Sequence, residues 1–205
     1  MDKFVKDKII LQLNDIQTLG GRLKFLTDSY QLEEMIRVKS LSKIKLIKDL
    51  ILPVLNITKP YAIKQYDCDI KFDDKGMHGV EVFGDTNLLQ MALNALLDNA
   101  AKYSLPSNNF VNIYINNEDI ESESFVGLSV SNIGYSINEE EKNFIFENGY
   151  RGNSVNKENI DGTGIGLFLV KEIMDVCHGD ISLKYFPETQ EIIFTLKLPL
   201  FEEKL

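Results

Sequence analysis

Apolar side chains recur at alternating intervals of three and four at Ile16, Leu19, Leu23, Leu26 and Tyr30, with Ile9 and Leu13 extending the series backwards. That spacing places them on one stripe of a helix. A lone helix of this length cannot hide such a seam, so it is expected to pack against a partner helix, a second copy of the chain, or its own domain. After Val38 the pattern changes to a short strand-like piece and then an apolar helical run from about Leu46 to Gln65. Pro53 suits a first helical turn, whereas Pro60 is expected to end or kink that helix. Two short alternating runs, DIKFDD and HGVEVFGD, flank Lys75-Gly76 and read as a hairpin.

The strongest helical pattern is TNLLQMALNALLDNAAKYS, with Thr86 as its expected cap and a stop before Pro106. Strands follow near Phe110–Ile115 and Phe125–Val130, then a turn at Asn132–Ser136. A helix is expected from about Glu139 to Phe146, opened by a capping box of Asn138 and Glu141. Residues 148–161 are polar, rich in Gly and Asn, and lack an apolar period, so they read as a mobile loop. A helix from Gly164 to about Val176 and two strands, Ile181–Phe186 and Glu191–Leu198, complete the chain. Strands and helices mixed this way form an α+β fold, a two-layer α/β sandwich preceded by a long N-terminal helix.

Composition narrows the possibilities. With 205 residues, 44% of them hydrophobic, the chain can bury one full core and carry a small appendage. It contains no run of about 18 apolar residues of the kind a membrane span requires, and its charged N-terminus does not resemble a signal peptide. Cys68 and Cys177 lie far apart and outside any CxxC spacing, which points away from a disulfide framework or a zinc site and fits a reducing cytoplasm. The first sixty residues are net basic; the rest is strongly acidic, and the whole carries −9. An acidic body without a basic stripe argues against nucleic acid as a partner. An anionic ligand would need a metal ion, backbone N–H groups and a few well-placed cations.

Such a place exists in GTGIGL, Gly162–Leu167, where glycines at alternate positions run into an apolar helix. Backbone without side chains can approach a polyanion closely, and the helix N-terminus offers unpaired N–H groups and the positive end of a dipole. On its own the motif is a weak signal, because a glycine-rich helix entry is commonly only a tight turn. A Rossmann fingerprint would need glycine at Leu167, and the Lys-Ser/Thr ending of a Walker loop is absent.

Four segments in order make the signal specific: LLDNAAKYS, VSNIGYSI, FIFENGYRG and GTGIGLFLVKEI. Together they resemble the N, G1, F and G2 boxes of the histidine-kinase branch of the GHKL ATPase superfamily, over about Arg37 to Leu198. The resemblance implies a Bergerat-type ATP-binding fold over residues 37–205, preceded by part of a dimerisation and phosphotransfer stalk in residues 1–36. It also implies Asn99 as Mg²⁺ ligand, with Lys102 and Tyr103 facing phosphates and nucleotide. The 99, 102, 103 spacing shares one helical face. By the same resemblance Asn132 and Gly134 form the G1 turn, Tyr150 and Arg151 the F box, and Gly162, Thr163, Gly164, Ile165, Gly166 and Leu167 the phosphate loop. Phe144 and Phe146 are then lid anchors and residues 152–161 the lid.

Departures from the family pattern carry chemical weight. One turn before Asn99 stands Ala95 where an asparagine or histidine is usual, with Asn94 displaced to a different face. Gyrase-like members place a water-activating glutamate in that region, and Ala95 cannot do this, so the resemblance implies transfer rather than hydrolysis. Asn132 replaces the adenine-reading aspartate, and Ser136 the second glycine of its turn. Weaker metal and ATP binding is expected. Neither histidine suits a phosphoacceptor: His78 reads as a strand residue followed by Gly79, and His178 as a helix cap.

The expectation is therefore an ATP- and Mg²⁺-binding histidine kinase domain acting on a histidine not present in this chain. The stalk helix of its parent kinase, a response regulator and a second copy held through the N-terminal helix are the expected partners. Its expected place is the cytoplasm, as part of a longer sensor. The alternative is a pseudokinase or adaptor that docks partners without phosphoryl transfer.

Overall fold

The computed structural model describes residues 34, 36–74, 78–116, 124–157, 160 and 162–201. The apolar stripe from Ile16 to Tyr30, and nearly all of the expected stalk segment 1–36, lie outside them. The elements run β1 (Ser42–Lys45), a π-helical turn (Leu46–Ile51), α1 (Leu52–Tyr66), β2 (Asp69–Asp73), β3 (Glu81–Gly84) and α2 (Thr86–Lys102). They continue with β4 (Phe110–Asn116), β5 (Phe125–Ile133), a 3₁₀ turn (Glu141–Asn143), α3 (Asn153–Lys157), α4 (Gly166–Val176), β6 (Asp180–Phe186) and β7 (Glu191–Pro199).

Five strands form one sheet in the order β2-β4-β5-β7-β6, and β1 pairs with β3 in a separate ribbon. In β4 every second residue is buried, Val111, Ile113 and Ile115. Their inward face meets α2, whose Leu88, Leu89, Leu93, Leu96 and Leu97 are fully enclosed. Each such leucine contributes roughly 2 kcal/mol of transfer free energy. From α4, Val170, Ile173 and Met174 join the same core. Central β5 is buried along nearly its whole length, and the Ser129 hydroxyl meets that of its cross-strand partner Thr195 at 2.8 Å. The two-layer α/β sandwich expected from the sequence is therefore present.

Several details differ from the expectation. DIKFDD and HGVEVFGD do not form a hairpin: β2 pairs parallel with β4, Ile70 opposite Val111, while β3 pairs antiparallel with β1, Val82 opposite Ile44. Alternation specifies a strand and its buried face, not its partner, and here each run buries its apolar residue elsewhere. His78 accordingly lies in a turn rather than a strand. Helix α1 continues through Pro60 to Tyr66. Both Pro60 and Asn56, whose carbonyl loses its partner, lie on the exposed side, where water can replace the missing N–H.

Asp85, not Thr86, caps α2. Its Oδ1 accepts the N–H groups of Asn87 at 3.0 Å and Leu88 at 3.1 Å, and its Oδ2 accepts that of Ser40 at 2.7 Å. One carboxylate therefore fixes the helix entry and the segment before β1. Asn132 is not at a turn but inside β5, opposite Val111 on one side and Ile192 on the other. The expected helix 139–146 is reduced to the 3₁₀ turn: the N–H groups of Phe144 and Ile145 both return to the Glu141 carbonyl, at 2.9 and 3.1 Å, and the next bond, Glu147 N–H to the Phe144 carbonyl at 2.8 Å, closes another turn. The polar loop contains the short α3, and α4 starts at Gly166, since Gly164 has φ +72° and cannot be helical.

Candidate functional site

A cavity of about 1410 Å³ opens between α1, α2, the loops around α3 and the entry to α4. Twelve of the thirteen residues expected at the site line it: Asn99, Lys102, Tyr103, Asn132, Tyr150, Arg151, Gly162, Thr163, Gly164, Ile165, Gly166 and Leu167. Gly134 stands behind the wall instead. A Cβ there would lie 2.8 Å from Asn132 Nδ2 and 2.9 Å from the Tyr103 carbonyl, so its role is close packing.

Helix α2 delivers Asn99, Lys102 and Tyr103 together because three- and four-residue steps return to one face. The tips of Lys102 and Tyr103 meet the glycine loop: a Cβ on Gly162 would lie 2.7 Å from Tyr103 Oη, 3.2 Å from Lys102 Nζ and 3.9 Å from Arg151 Nε. Two cations and a phenol thus converge on bare backbone. Burial pushes the Tyr103 phenol up, with Arg151 pulling it back and Asp98 adding to the rise. Tyr103 is therefore a neutral hydrogen-bonding group at neutral pH. Gly166 opens α4 with nothing within 4 Å of where its Cβ would stand, so the helix N-terminus faces open cavity.

The loops above this centre are held by Glu141, which is only 4% exposed. Its Oε2 accepts the Asn138 N–H at 2.9 Å, the expected half of a capping box, and its Oε1 accepts the Asn153 N–H at 2.7 Å. The second bond anchors the first turn of α3. Ser136 and Ser154 join their hydroxyls at 2.8 Å across the same opening. Arg151 donates through Nη2 to the Ile160 carbonyl, while its own carbonyl accepts from Asn156 Nδ2 at 3.2 Å. Of the two expected lid anchors, Phe146 packs edge-on against Phe194 at 6.3 Å, whereas Phe144 is exposed beside Tyr150.

Sequence reasoning missed the α1 wall. Asn94 lines the cavity despite its displaced face, because Thr58 donates to its Oδ1 at 2.6 Å and holds the amide there. Asp98 lines it too and accepts from the Tyr66 hydroxyl at 3.0 Å. Nothing local signals either pairing, since the partners are 36 and 32 residues apart. No cluster of three or more His, Cys, Asp or Glu side chains suited to a metal exists among the described residues. A divalent cation that retains phosphate and water oxygens needs few protein ligands, so the Asn99 carboxamide on the cavity wall fits Mg²⁺ chemistry.

Behind the site, Lys171 on α4 ties the helix to the sheet through Asp180 at the start of β6 and pairs with Asp175 on its own helix, each at 3.0 Å. Burial opposes the Asp180 charge, but the bond and charge of Lys171 and the Ile181 N–H outweigh it, holding the carboxyl below its usual value. Its contribution to stability is therefore complete above the ordinary carboxylate pKa of about 3.9 and is lost as pH falls through the depressed folded value. The pair is partly exposed, so the expected effect is small. Asp180→Asn should lower Tm by about 1–3 °C at neutral pH. The gap between the melting curves of the two proteins should narrow as pH falls below the ordinary carboxylate range, and a gap that does not change with pH would exclude the charge as its origin.

Residues 84–202 match the family described as histidine kinase-, DNA gyrase B-, and HSP90-like ATPase. The chain is 28% identical over 192 residues to the sensor histidine kinase HprS of Escherichia coli K12, covering 93% of this chain and 38% of HprS. It is 36% identical over 113 residues to the signal transduction histidine-protein kinase/phosphatase MprB of Mycobacterium leprae, covering 55% of this chain and 20% of MprB. It thus spans well under half the length of these relatives. Among solved structures, full-length ShkA in complex with AMPPNP superposes with a TM-score of 0.69 at 18% identity, over 94% of this chain and 39% of ShkA. At that identity the likeness establishes the fold.

Proposed function

This chain belongs to the histidine kinase-, DNA gyrase B-, and HSP90-like ATPase family, and on that footing we propose that it binds Mg-ATP as the catalytic domain of a two-component sensor histidine kinase. The observation that carries the reading is the convergence of Lys102, Tyr103 and Arg151 on Gly162, beside Asn99 and the open N-terminus of α4. Lys102, Arg151 and the α4 N–H groups receive the phosphates, and Asn99 holds Mg²⁺, which when bound neutralises phosphate charge and aligns the γ-phosphoryl group. Glu141 and the Ser136–Ser154 contact keep the loop over the cavity and limit access of water.

The γ-phosphoryl passes from ATP to an imidazole nitrogen, and ADP leaves. His78 is a turn residue 3.5 Å from Asp74, and His178 has φ +59° just past the end of α4, a capping position. Neither is placed as an acceptor; the acceptor belongs to a stalk helix of the parent kinase, and a response regulator then takes the phosphoryl group. The relatives' names support this reading over the adaptor alternative. Transfer of label from γ-labelled ATP to a histidine-bearing stalk supplied in trans tests it. Binding without any labelling would favour the adaptor.

Among the described residues no helix is long and apolar enough to cross a membrane, which is consistent with a cytoplasmic portion of a sensor. Residues 1–36 serve as the stalk segment and 37–205 as the catalytic domain. The stripe from Ile16 to Tyr30 should then drive self-association as a homodimer. Replacing Leu19 and Leu26 by glutamate puts like charges into the seam and should give monomers that still bind ATP. Sedimentation decides this: a parent that is monomeric at all concentrations would remove the seam as an interface.

A further inference from the structure

The cavity continues past the phosphate centre into a lobe between α1 and α2. The whole cavity, about 1410 Å³, exceeds the roughly 300–1,000 Å³ that encloses one ligand of ordinary size. Ile57, Thr58 and Tyr61 line the lobe from α1, and Met91, Ala95 and Asp98 line it from α2. Two bonds brace its walls, the Thr58 hydroxyl to Asn94 Oδ1 at 2.6 Å and the Tyr66 hydroxyl to Asp98 Oδ1 at 3.0 Å. Between those bonds Ala95 adds no side chain beyond its Cβ. At the mouth Ile57 is 74% and Tyr61 50% exposed, so apolar surface meets whatever enters from outside. The Tyr61 ring stands edge-on to Tyr66, with centroids 5.9 Å apart.

Asp98 is the member of this lobe that a phosphate site alone does not explain. Burial pushes the Tyr103 phenol up, Arg151 draws it down and Asp98 adds to the rise, so the Asp98 charge is felt at the phenol that meets Gly162. Burial, and then the Asp98 charge, push the Tyr66 phenol up as well, which keeps it a donor to Oδ1. A carboxylate beside bound phosphates is unfavourable unless positive charge develops between them. An imidazole that attacks phosphorus develops that charge. Resting on the kinase reading above, we infer that the α1–α2 lobe seats the acceptor imidazole, with the Tyr61 ring as its apolar wall and the Asp98 carboxylate accepting the N–H of the ring nitrogen that does not attack. A hydrogen bond to a charged acceptor orients the ring and stabilises the imidazolium as it forms. The attacking nitrogen bonds to the γ-phosphorus as the bond from phosphorus to the bridging oxygen breaks, and that electron pair leaves on ADP. The N–H proton held at Asp98 passes to water as the phosphohistidine departs.

Imidazole and N-methylimidazole are the informative probes, because at about pH 8.5 both are largely neutral and only the first has an N–H to donate. In ligand-observed NMR titrations of the full chain with Mg-ADP bound, imidazole should bind about ten-fold tighter than N-methylimidazole. Asp98→Ala should erase that preference. Ala95→Leu fills the lobe while keeping the carboxylate, and should weaken both probes by about ten-fold or more. Both variants should hold Mg-ATP within about three-fold of the parent. Equal binding of the two probes to the parent overturns the inference whether or not the variants fold. So does a folded Asp98→Ala that keeps the preference, or one whose loss is in Mg-ATP affinity, which would place Asp98 with the metal. Transfer of label from γ-labelled ATP separates the two readings. A parent that labels a supplied stalk but holds no imidazole defeats the seat alone, whereas one that labels no histidine defeats the kinase reading and the seat with it.

Discussion

Asn99→Ala should abolish the magnesium-dependent part of ATP binding while leaving the fold intact. The side chain lines the cavity one helical turn before Lys102 and Tyr103, whose tips meet the glycine loop. Ala95, one turn back, offers no oxygen, and Asp98 has one of its two oxygens engaged by the Tyr66 hydroxyl. Loss of this ligand should weaken Mg-ATP binding by roughly a hundred-fold, about 3 kcal/mol. Alanine is the better helix former, and Asn99 is not among the buried core side chains, so Tm should hold within about 2 °C. Titrations with Mg²⁺ and with chelator separate the effects. The parent should lose affinity on chelation and the variant should not. Equal Mg²⁺ dependence in both proteins would take Asn99 out of the metal site.

The sequence made the strand and helix content legible because burial follows period: β4 alternates as its side chains do, and α2 encloses its leucines on one face. Most of the site was legible for a related reason, since Asn99, Lys102 and Tyr103 are neighbours on one helix and the glycines on one loop. What stayed hidden was pairing at a distance. The parallel pairing of β2 with β4 buries Ile70 opposite Val111, 41 positions along the chain, and no local pattern encodes that. Glu141 illustrates the same limit within one residue. Its bond to Asn138 follows from three-residue spacing, but its second bond, to Asn153, requires a loop to fold back across the cavity. Thr58 and Asn94 belong to the same class, as does the replacement of Thr86 by Asp85 as the cap that also ties down Ser40.

The glycine loop supplies the other large effect, and its glycines should answer differently to the same substitution. Gly164 has φ +72°, and a Cβ there would stand 2.5 Å from the Tyr150 carbonyl oxygen, with the Gly149 carbonyl carbon at 2.6 Å. All of these atoms are backbone, so no side chain can swing aside. The crossing is also bonded, Gly149 N–H to the Gly164 carbonyl at 3.2 Å. Gly164→Ala must therefore separate the two segments, moving Tyr150 and Arg151 away from Gly162. Left-handed strain together with a backbone clash should cost about 2–4 kcal/mol, a fall in Tm of roughly 5–12 °C, with ATP binding lost. Gly166→Ala is the counterpart. It opens α4 with nothing near its Cβ position, so the added methyl should leave Tm unchanged or slightly higher. The methyl nevertheless projects into the cavity at the helix N-terminus, where phosphate must approach the N–H groups, and binding should weaken by about ten-fold or more. Melting curves and ATP titrations on the two variants settle the matter. If Gly164→Ala melts and binds like the parent, the tight crossing does not shape the site; if Gly166→Ala binds like the parent, the phosphates do not sit on this helix end.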